Sequence, residues 1–324
     1  MAKQNTANVK INKMGYFEQL GLITNSKTPL YSLLKKVEKV RGKPFEIAMD
    51  TDGDATFDSV PEGTDVSTYE NALENADVVL QRHTKIRKTW MVTDEQLETA
   101  NPIGIADQKA YAATRAMLKL TKAIDTMIGS DQEMEAGKGA FGDKCRCLGA
   151  WTNPDSKDIP ALYRTPSEQV CATDGLKEAA FDAVLAACFE QTGEVGNYQL
   201  FAGTTLKKAI KKFSRENGTD NNAALRCIMP SGERSIKWAV NIYDSDFGIV
   251  HVVPSNNLGR KSGEKISATS RSRGYLIDTS KVVLSFAKDI RQKELEDGGA
   301  GPRGYVEARV TTIVKAPQIL AKFN

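Results

Sequence analysis

Apolar and polar residues alternate in two stretches of the first hundred residues, a pattern typical of β-strands. Residues 43–50, KPFEIAMD, alternate over their length, and the run from Ala76 to Val92 is rich in Val, Ile, Thr and Trp. Residues 51–75, between them, are polar and rich in Asp, Gly and Glu. The second run would reach about 55 Å when extended. The pattern therefore predicts a long two-stranded ribbon within 43–95, too long to be stable without a surface to lie on.

The first 42 residues are polar with scattered apolar positions. One short amphipathic piece, TPLYSLLKK, starts at Thr28 and places apolar residues at helical spacing, at Leu30, Leu33, Leu34 and Val37. A helix this short is not stable alone. We therefore expect residues 1–42 to form an arm. Because neither arm nor ribbon can be supported by the chain's own core, we expect other copies of the chain to support them.

One long helix is predicted after the ribbon. Asn101 is a suitable N-cap and Pro102 suits the first helical position. A single apolar seam then follows steps of three and four, at Ile103, Ala106, Ala110, Ala113, Met117, Leu120, Ile124 and Met127. If the helix continues to Met134, it spans about 50 Å. The seam is mostly Ala and Met, which is weak for a coiled coil, so we expect the helix to lie across a sheet.

The second half of the chain alternates strands with shorter helices. Residues 135–172 show no sustained period and are predicted to be a large loop, followed by a helix from Thr173 or Asp174 to Gly193. A helix from Thr204 follows, among strands predicted at Tyr198–Ala202, Leu225–Met229, Ile236–Tyr243, Gly248–Val253, Tyr275–Ile277 and Lys281–Phe286. A closing strand, Tyr305–Lys315, has one apolar face at Val306, Ala308, Val310, Thr312 and Val314. The pattern as a whole predicts an α+β fold.

Composition and charge exclude several classes of protein. Hydrophobic residues make up 40% and charged residues 26% of the 324 residues, and the net charge is only +3, which gives no global basic field for nucleic acid. The first residues lack an apolar signal-peptide segment, and no apolar run is long enough to cross a membrane. Five unpatterned cysteines indicate a reducing compartment.

Candidate catalytic and metal-binding motifs fail on their context. The two histidines, His83 and His251, lie in separate predicted strands, and Cys145-Arg-Cys147 lacks the spacing of a zinc knuckle. The GxGxxG match at 137–142 follows a helix instead of a strand. Asp50-Thr-Asp-Gly-Asp54 has its glycine at the wrong place for a calcium loop. We therefore expect no catalytic residues, no cofactor and no metal site.

Charges are segregated along the predicted ribbon. No Lys or Arg occurs from Phe45 to Gln81, a stretch with many acidic residues, among them Asp50, Asp52, Asp54, Asp58 and Glu62. The next residues are basic, at Arg82, Lys85, Arg87 and Lys88. A solvated hairpin with a charged tip would explain this pattern. Head-to-tail contact between copies would also explain it, because complementary charges set register and partner choice, and we expect these residues to form a subunit interface.

A second basic set, Arg115, Lys119 and Lys122, lies on one face of the long helix. Such a set is usually a solvated face. It could also face a packaged polyanion, so an interior-facing position is the alternative expectation.

In this order the elements resemble the major capsid proteins of tailed bacteriophages, with the Hong Kong ninety-seven-type fold. The resemblance covers most of the chain and rests on the arm TPLYSLLKK, the ribbon, the long helix PIGIADQKAYAATRAMLKLTKAIDTMI and the segments GNYQLFAGTTLKKAI, YDSDFGIVHVVPSNNL, GYLIDTSKVVLSFAKD and YVEARVTTIVKAPQILAKF. The passage from YDSDFG through VVPS to YLIDTSKV is the most specific part. Each segment is a weak signature, and their order carries the resemblance.

The resemblance implies a structural subunit that self-assembles into hexamers and pentamers of an icosahedral shell around double-stranded DNA. It implies an N-terminal arm (1–42), an extended hairpin loop (43–95), a peripheral domain with a spine helix (96–195), an axial domain (196–300) and a closing strand that returns to the peripheral domain (301–324). The partners implied are other copies, packaged DNA bound non-specifically, and portal and decoration proteins, without a membrane. The location implied is the virion, after assembly in the host cytoplasm.

Two other functions remain open from the sequence. A compartment shell of the encapsulin kind would have a similar fold but would enclose enzymes instead of DNA. A small-ligand-binding enzyme with the hairpin as a lid would instead remain monomeric.

Overall fold

The computed structural model describes most of the chain after the first 27 residues. The described residues are 28–37, 40, 42–51, 57, 59–66, 69, 71, 73–99, 105, 107–139, 141–193, 195–216 and 242–324. Several predicted features lie outside them: the arm before Thr28, the caps Asn101 and Pro102, Cys227, the strand Leu225–Met229 and most of the strand Ile236–Tyr243.

The elements follow the order expected for an α+β chain. The helices are α1 (Pro29–Leu33), α2 (Asp94–Glu98), α3 (Gln108–Ile128), α4 (Leu148–Trp151), α5 (Glu178–Thr192), α6 (Thr204–Glu216) and α7 (Ala268–Ser272). The strands are β1 (Lys35–Val37), β2 (Phe45–Met49), β3 (Asp77–Gln81), β4 (Thr84–Met91), β5 (Val170–Cys171), β6 (Gly196–Ala202), β7 (Ile242–Ser245), β8 (Gly248–Pro254), β9 (Gly274–Ile277), β10 (Val282–Leu295), β11 (Arg303–Val314) and β12 (Ala321–Phe323). None of the helices described combines the length and apolarity needed to cross a bilayer.

A four-stranded sheet carries the long helix. Its order is β1-β10-β11-β4, with β1 parallel to β10 and the other neighbours antiparallel. The predicted apolar face of the closing strand is confirmed, because alternate residues from Val306 to Val314 are fully buried. They join one core with Ala113, Ala116 and Leu120 of α3. Period-two alternation therefore leaves the opposite face of β11 free of the helix.

The long helix is shorter than predicted, and its buried seam is rotated. It begins at Gln108, where the Asp107 carboxylate accepts hydrogen bonds from the backbone N–H groups of Lys109 and Ala110, and ends at Ile128, before the predicted Met134. Its 21 residues span about 32 Å. The buried positions include Ala113, Ala116, Leu120, Ile124 and Met127. The predicted seam is therefore wrong at Ala110, which is exposed, and at Met117, which is 40% exposed.

A second core lies between a six-stranded sheet and helices α5 and α6. The strand order is β5-β12-β9-β6-β8-β7. Phe181 and Leu185 of α5 pack with Leu206 and Ile210 of α6 against the sheet. Helix α5 ends as predicted at Gly193, which adopts a left-handed conformation with φ 65°. The C-terminal segment contributes a strand to each sheet, because β11 lies in the four-stranded sheet and β12 in the six-stranded sheet.

The predicted ribbon divides into two separate pairings. Strand β3 pairs with β2 over five residues, from Phe45↔Gln81 to Met49↔Asp77. The strand then ends before Arg82 and His83, and β4 pairs with β11 in the four-stranded sheet. The prediction of one 17-residue strand from Ala76 to Val92 is therefore wrong. The physical reason is that β4 is held by a closing strand more than two hundred residues away.

The part of the arm that the structure describes packs on the chain's own body. Leu30 and Leu34 are buried against the core of α3, and β1 pairs with β10. Thr28 offers no side-chain cap to α1, and the Asp125 carboxylate of α3 instead accepts the backbone N–H of Tyr31 at 2.9 Å. The expectation that the whole arm lacks support from its own core is therefore wrong for this part.

Asp125 also joins a third segment, because its other oxygen accepts a hydrogen bond from Asn257 Nδ2 at 2.7 Å. Burial raises the pKa of Asp125, and the hydrogen bonds from Tyr31 and Asn257 counter part of that rise. An Asp125→Ala substitution should lower the free energy of unfolding by about 2 kcal/mol, because the buried Asn257 donor and the part-buried Tyr31 donor both lose their acceptor. The exposed Lys119→Ala on the same helix is the control, and chemical denaturation measures both variants.

Hydrogen exchange gives this prediction a local readout. The Tyr31 amide should exchange faster in Asp125→Ala because it loses its acceptor. The other amides of α1 should also exchange faster because the docking of the helix is weakened. Unchanged exchange at Tyr31 together with unchanged stability would contradict the role assigned to Asp125.

The predicted loop at 135–172 contains a compact part of the core. A bridge pairs Glu135 with Lys144, and helix α4 follows with Trp151 fully buried. Cys145 and Cys147, expected to be loop thiols, are buried, and their Sγ atoms lie 3.8 Å apart. The absence of a repeating apolar period misled the prediction, because short irregular segments bury residues without one.

Candidate interaction surface

The face of the four-stranded sheet opposite α3 is strongly basic. Strand pairing places Glu307 of β11 between Arg87 of β4 and Arg291 of β10. The next row places Arg309 between Lys85 and Lys288. We call the following set the basic face: Lys85, Arg87, Lys288, Arg291 and Arg309, around Glu307.

Glu307 is an ion-pair centre for four of these cations. Its Oε2 lies 3.3 Å from Lys85 Nζ and 2.9 Å from Arg87 Nη2, and its Oε1 lies 3.0 Å from Lys288 Nζ and 2.8 Å from Arg291 Nη2. The Glu307 side chain is only 2% exposed. Burial alone would raise its pKa, but hydrogen bonds from Arg87, Lys288, Arg291 and Lys85 hold the pKa well below its usual value. Glu307 is therefore a buried carboxylate that keeps its charge.

A cavity of about 270 Å³ opens beside Arg309. Its lining includes Lys43, His83, Lys85, Arg309, Phe141 and Asp143. Asp143 is already engaged, because its carboxylate lies 2.6 Å from Lys43 Nζ and 3.3 Å from Arg82 Nη1. A hydrogen bond from Lys43 is the main cause that lowers the pKa of Asp143.

His83 is the least satisfied polar group in this cavity. Its side chain is 3% exposed, its ring lies 4.9 Å from the Phe45 ring, and its Nε2 has no hydrogen-bond partner. Burial lowers its pKa, and a hydrogen bond with the Gly42 backbone partly opposes that shift. His83 therefore has one buried ring nitrogen without a hydrogen-bond partner among the residues that the structure describes.

Three of the predicted basic interface residues lie on β4, and the fourth, Arg82, lies just before it. Arg82, Lys85 and Arg87 all form ion pairs within the chain, with Asp143 or Glu307. Lys88 points to the other face of β4, as its alternation with Arg87 requires. Their role in an interface between copies stays a prediction.

The predicted acidic residues are not brought to the basic set. Asp50 and Glu62 are exposed, and neither forms an ion pair with the basic residues that the structure describes. Asp52, Asp54 and Asp58 lie outside the described residues. Large apolar side chains of the same segment are also exposed, with Phe57 at 99% and Tyr69 at 86%. The segment therefore presents both charge and apolar surface to its surroundings.

The second basic set lies along α3. Lys119 is exposed, while Arg115 and Lys122 are half-buried, and the Arg115 guanidinium lies 5.9 Å from the centroid of the Tyr111 ring. That these side chains face the interior of an assembly stays a prediction.

The most informative residues of this surface were missed by sequence reasoning. Glu307, Lys288, Arg291 and Arg309 come together only when β10, β11 and β4 are aligned. One signal was present, because Glu307 is the single acid on a strand whose alternate residues Tyr305 and Arg309 also face away from the core. A carboxylate at such a position indicates cationic neighbours on the flanking strands.

The structure also changes the expected effect of a substitution that the sequence suggests. Reversing Arg82, Lys85, Arg87 and Lys88 to Glu would be expected to leave the fold intact if these residues were free. Lys85 and Arg87 instead supply two of the four cations around Glu307. The reversal would place new carboxylates beside a buried one and destabilise the subunit, so it cannot report on assembly alone.

Solved structures of shell proteins share this fold. The capsid of a native GTA particle matches with a TM-score of 0.61 at 15% identity, over 96% of this chain and 94% of that chain. The capsid of the cyanophage P-SCSP1u matches with a TM-score of 0.56 at 12% identity, over 96% and 92%. The holo-SrpI encapsulin complex from Synechococcus elongatus PCC 7942 matches with a TM-score of 0.52 at 11% identity, over 100% and 96%.

These likenesses define the class of fold, the mixed helix-and-sheet fold of phage capsid proteins, and confirm the predicted class. Because a phage capsid and an encapsulin both match, the fold alone does not separate them. No curated protein sequence matches the chain.

The family separates the alternatives. A family model described as SU10 major capsid protein matches residues 3–324, and the chain belongs to this family. The protein is therefore a structural component of a capsid shell, which assembles from copies of itself in a virion. The predicted resemblance to major capsid proteins of tailed phages is confirmed.

Proposed function

We propose that this capsid protein assembles into hexamers and pentamers that close an icosahedral shell around double-stranded DNA. The observation that carries the proposal is the family match over residues 3–324, nearly the whole chain. In this proposal the chain catalyses no reaction, and it assembles in the host cytoplasm before it becomes part of the virion. Portal and decoration proteins are its further partners in the proposal.

The two cores support a division into a peripheral and an axial domain. We assign α3 and the four-stranded sheet to the peripheral domain, and α5, α6 and the six-stranded sheet to the axial domain. Separate hydrophobic clusters on each side support this assignment. This assignment differs from the boundaries expected from the sequence, which placed α5 in the peripheral domain (96–195), β10 in the axial domain (196–300) and β12 in the segment returning to the peripheral domain (301–324).

Contact between copies is proposed to join the acidic segment of one subunit to the basic face of the next. The acidic partners would come from Asp50, Asp52, Asp54, Asp58 and Glu62. The basic side would include Arg82, Lys85 and Arg87, of which Lys85 and Arg87 already share Glu307. Lys88, the fourth residue of the predicted basic set, lies on the other face of β4. Four cations on one carboxylate leave excess positive charge, which favours an acidic partner.

The helix cations Arg115, Lys119 and Lys122 are proposed to face the packaged DNA. Non-specific binding of this kind requires only accessible cations near phosphates. Lys119 is exposed, which is consistent with this role.

Expression of the chain, both alone and together with the other head components and DNA, followed by sedimentation and negative-stain microscopy, tests the proposal. We expect closed particles whose purified contents absorb strongly at 260 nm when the other head components and DNA are supplied. Closed particles with protein cargo and no nucleic acid would favour an encapsulin-like compartment. A chain that remains monomeric at high concentration and binds a small ligand saturably would favour the enzyme with a hairpin lid.

A further inference from the structure

The row of charges at Arg309 is not neutralised by the residues that the structure describes. Arg309 lies directly opposite Lys85 on one side and Lys288 on the other. Like charges opposite one another destabilise a sheet. Both lysines reach to Glu307 in the neighbouring row, whereas Arg309 forms no ion pair among the residues that the structure describes. Within the described part of the chain, the row therefore retains one cation, Arg309, that lines the cavity and has no ion-pair partner.

The lining of the cavity beside Arg309 contains more cations than carboxylates. Lys43 and Lys85 line it together with Arg309, and the carboxylate present, Asp143, is already held by Lys43 and Arg82. His83 adds the buried, unpartnered Nε2. Three cations, Lys43, Lys85 and Arg309, thus line the cavity against one carboxylate, Asp143. The missing partner is therefore a small anionic group.

The chain's own acidic segment is joined to β2 and β3 at the ends of these strands that are far from the cavity. Strands β2 and β3 have one end at Phe45 and Gln81, next to the cavity residues Lys43 and His83. The acidic segment begins at the other end, beyond Met49 and Asp77. Five residues of strand separate the two ends by about 17 Å. A second copy is therefore better placed than the same chain to fill the cavity.

We propose that the Arg309 cavity binds a carboxylate side chain from the acidic segment, residues 50–77, of a second copy. This inference rests on the proposed function, because it requires contact between copies. The segment has the matching chemistry, since it contains no Lys or Arg. It also exposes Phe57, Val60 and Tyr69, and Phe141 at the cavity is 77% exposed. Apolar contact beside the ion pair would exclude water and strengthen it.

Arg309→Glu in the full chain tests the proposal with two readouts that should move differently. The melting temperature of the unassembled subunit should stay close to the wild-type value, because Arg309 forms no ion pair among the described residues and the new carboxylate would lie opposite Lys85 and Lys288. The yield of sedimentable particles should fall about tenfold or more, because like charges would then meet at the interface. The exposed Lys281→Glu is the matched control and should keep both readouts at the wild-type level. Normal particle yield for Arg309→Glu would overturn the proposal.

A charge-swap experiment distinguishes the acidic segment from other possible partners of the cavity. Glu62→Lys with Asp65→Lys should also reduce assembly, and combining both with Arg309→Glu should restore particles. If the combination fails to restore them, the acidic segment is not the partner. If Arg309→Glu forms normal particles that hold less nucleic acid, the cavity binds DNA phosphate instead, which also overturns the proposal.

Failure of this inference can be distinguished from failure of the proposed function. A wild-type chain that forms no particles under any assembly condition would contradict the proposed function itself. If the wild type and Arg309→Glu form particles equally well, only the carboxylate site is contradicted.

Discussion

Glu307→Gln should lower the free energy of unfolding of the subunit by about 3 kcal/mol. The substitution removes the charge that four cations share, while the shape of the side chain is kept. Breaking a buried ion pair typically costs about 3–5 kcal/mol. We expect the lower end of that range, because the cationic side chains are 32–50% exposed and water can solvate them again. Urea denaturation of the unassembled chain measures the loss.

Glu294→Gln is the matched control for this prediction. Glu294 is on the neighbouring strand β10 and pairs with Lys109 at 3.0 Å, but both side chains are about half exposed. An exposed pair contributes only about 0.2–1 kcal/mol. Equal losses for the two variants would show that burial of Glu307 adds nothing.

The pH dependence of the difference between wild type and Glu307→Gln gives a second test. The pKa of Glu307 is lower in the folded chain than its ordinary value. Its ionised form therefore stabilises the fold fully above the unfolded pKa of about 4.3, and this stabilisation is lost as the pH falls toward the folded pKa. The stability difference should be constant above about pH 5 and should shrink in more acidic solution. A difference that grows on acidification would contradict the ion-pair centre.

The contrast between Glu307 and Asp125 explains why charge alone could not locate either site in the sequence. Both carboxylates are buried, yet the pKa of Glu307 is lowered by cations and that of Asp125 is raised by burial. The partners of Asp125, at Tyr31 and Asn257, are distant in sequence, and so is Arg87 from Glu307. Sequence spacing carries no information on such pairs. Only the strand register and the helix docking bring them together.

The sequence predicted well those features that depend on local pattern. The apolar face of β11, the helix from Thr204 and the end of α5 at Gly193 all follow from alternation, periodicity or a left-handed glycine. It predicted poorly those features that depend on distant partners. The division of the ribbon at Arg82 and His83 arises because β4 pairs with β11, and no local signal marks that change.

The rotation of the α3 seam is an intermediate case, in which the pattern was present but ambiguous. Ala113, Leu120, Ile124 and Met127 are compatible with two neighbouring stripes, one through Ala116 and one through Met117. Hydropathy favours Met117, the larger apolar side chain. The structure buries Ala116 instead, because the small residue lets the helix approach the sheet closely. The choice between the stripes therefore depends on the volume available between helix and sheet.

Ala116→Asp and Met117→Asp test that choice at adjacent positions. Ala116 is 3% exposed, so an aspartate there would bury an unpaired charge against the core of α3. We expect the free energy of unfolding to fall by about 3–5 kcal/mol, the cost of an uncompensated buried charge, and most of the protein to become insoluble. Met117 is 40% exposed, so Met117→Asp should change stability by less than about 1 kcal/mol.

The two variants introduce the same side chain on the same helix, so they differ in helix propensity only by the few tenths of a kcal/mol between Ala and Met. Thermal unfolding of the soluble fraction and the yield of soluble protein measure both effects. A soluble, cooperatively melting Ala116→Asp together with an insoluble Met117→Asp would place the seam where hydropathy alone puts it. The register of α3 on the four-stranded sheet would then differ by one residue, about 100° around the helix axis, and the core assigned to this sheet would be incorrect.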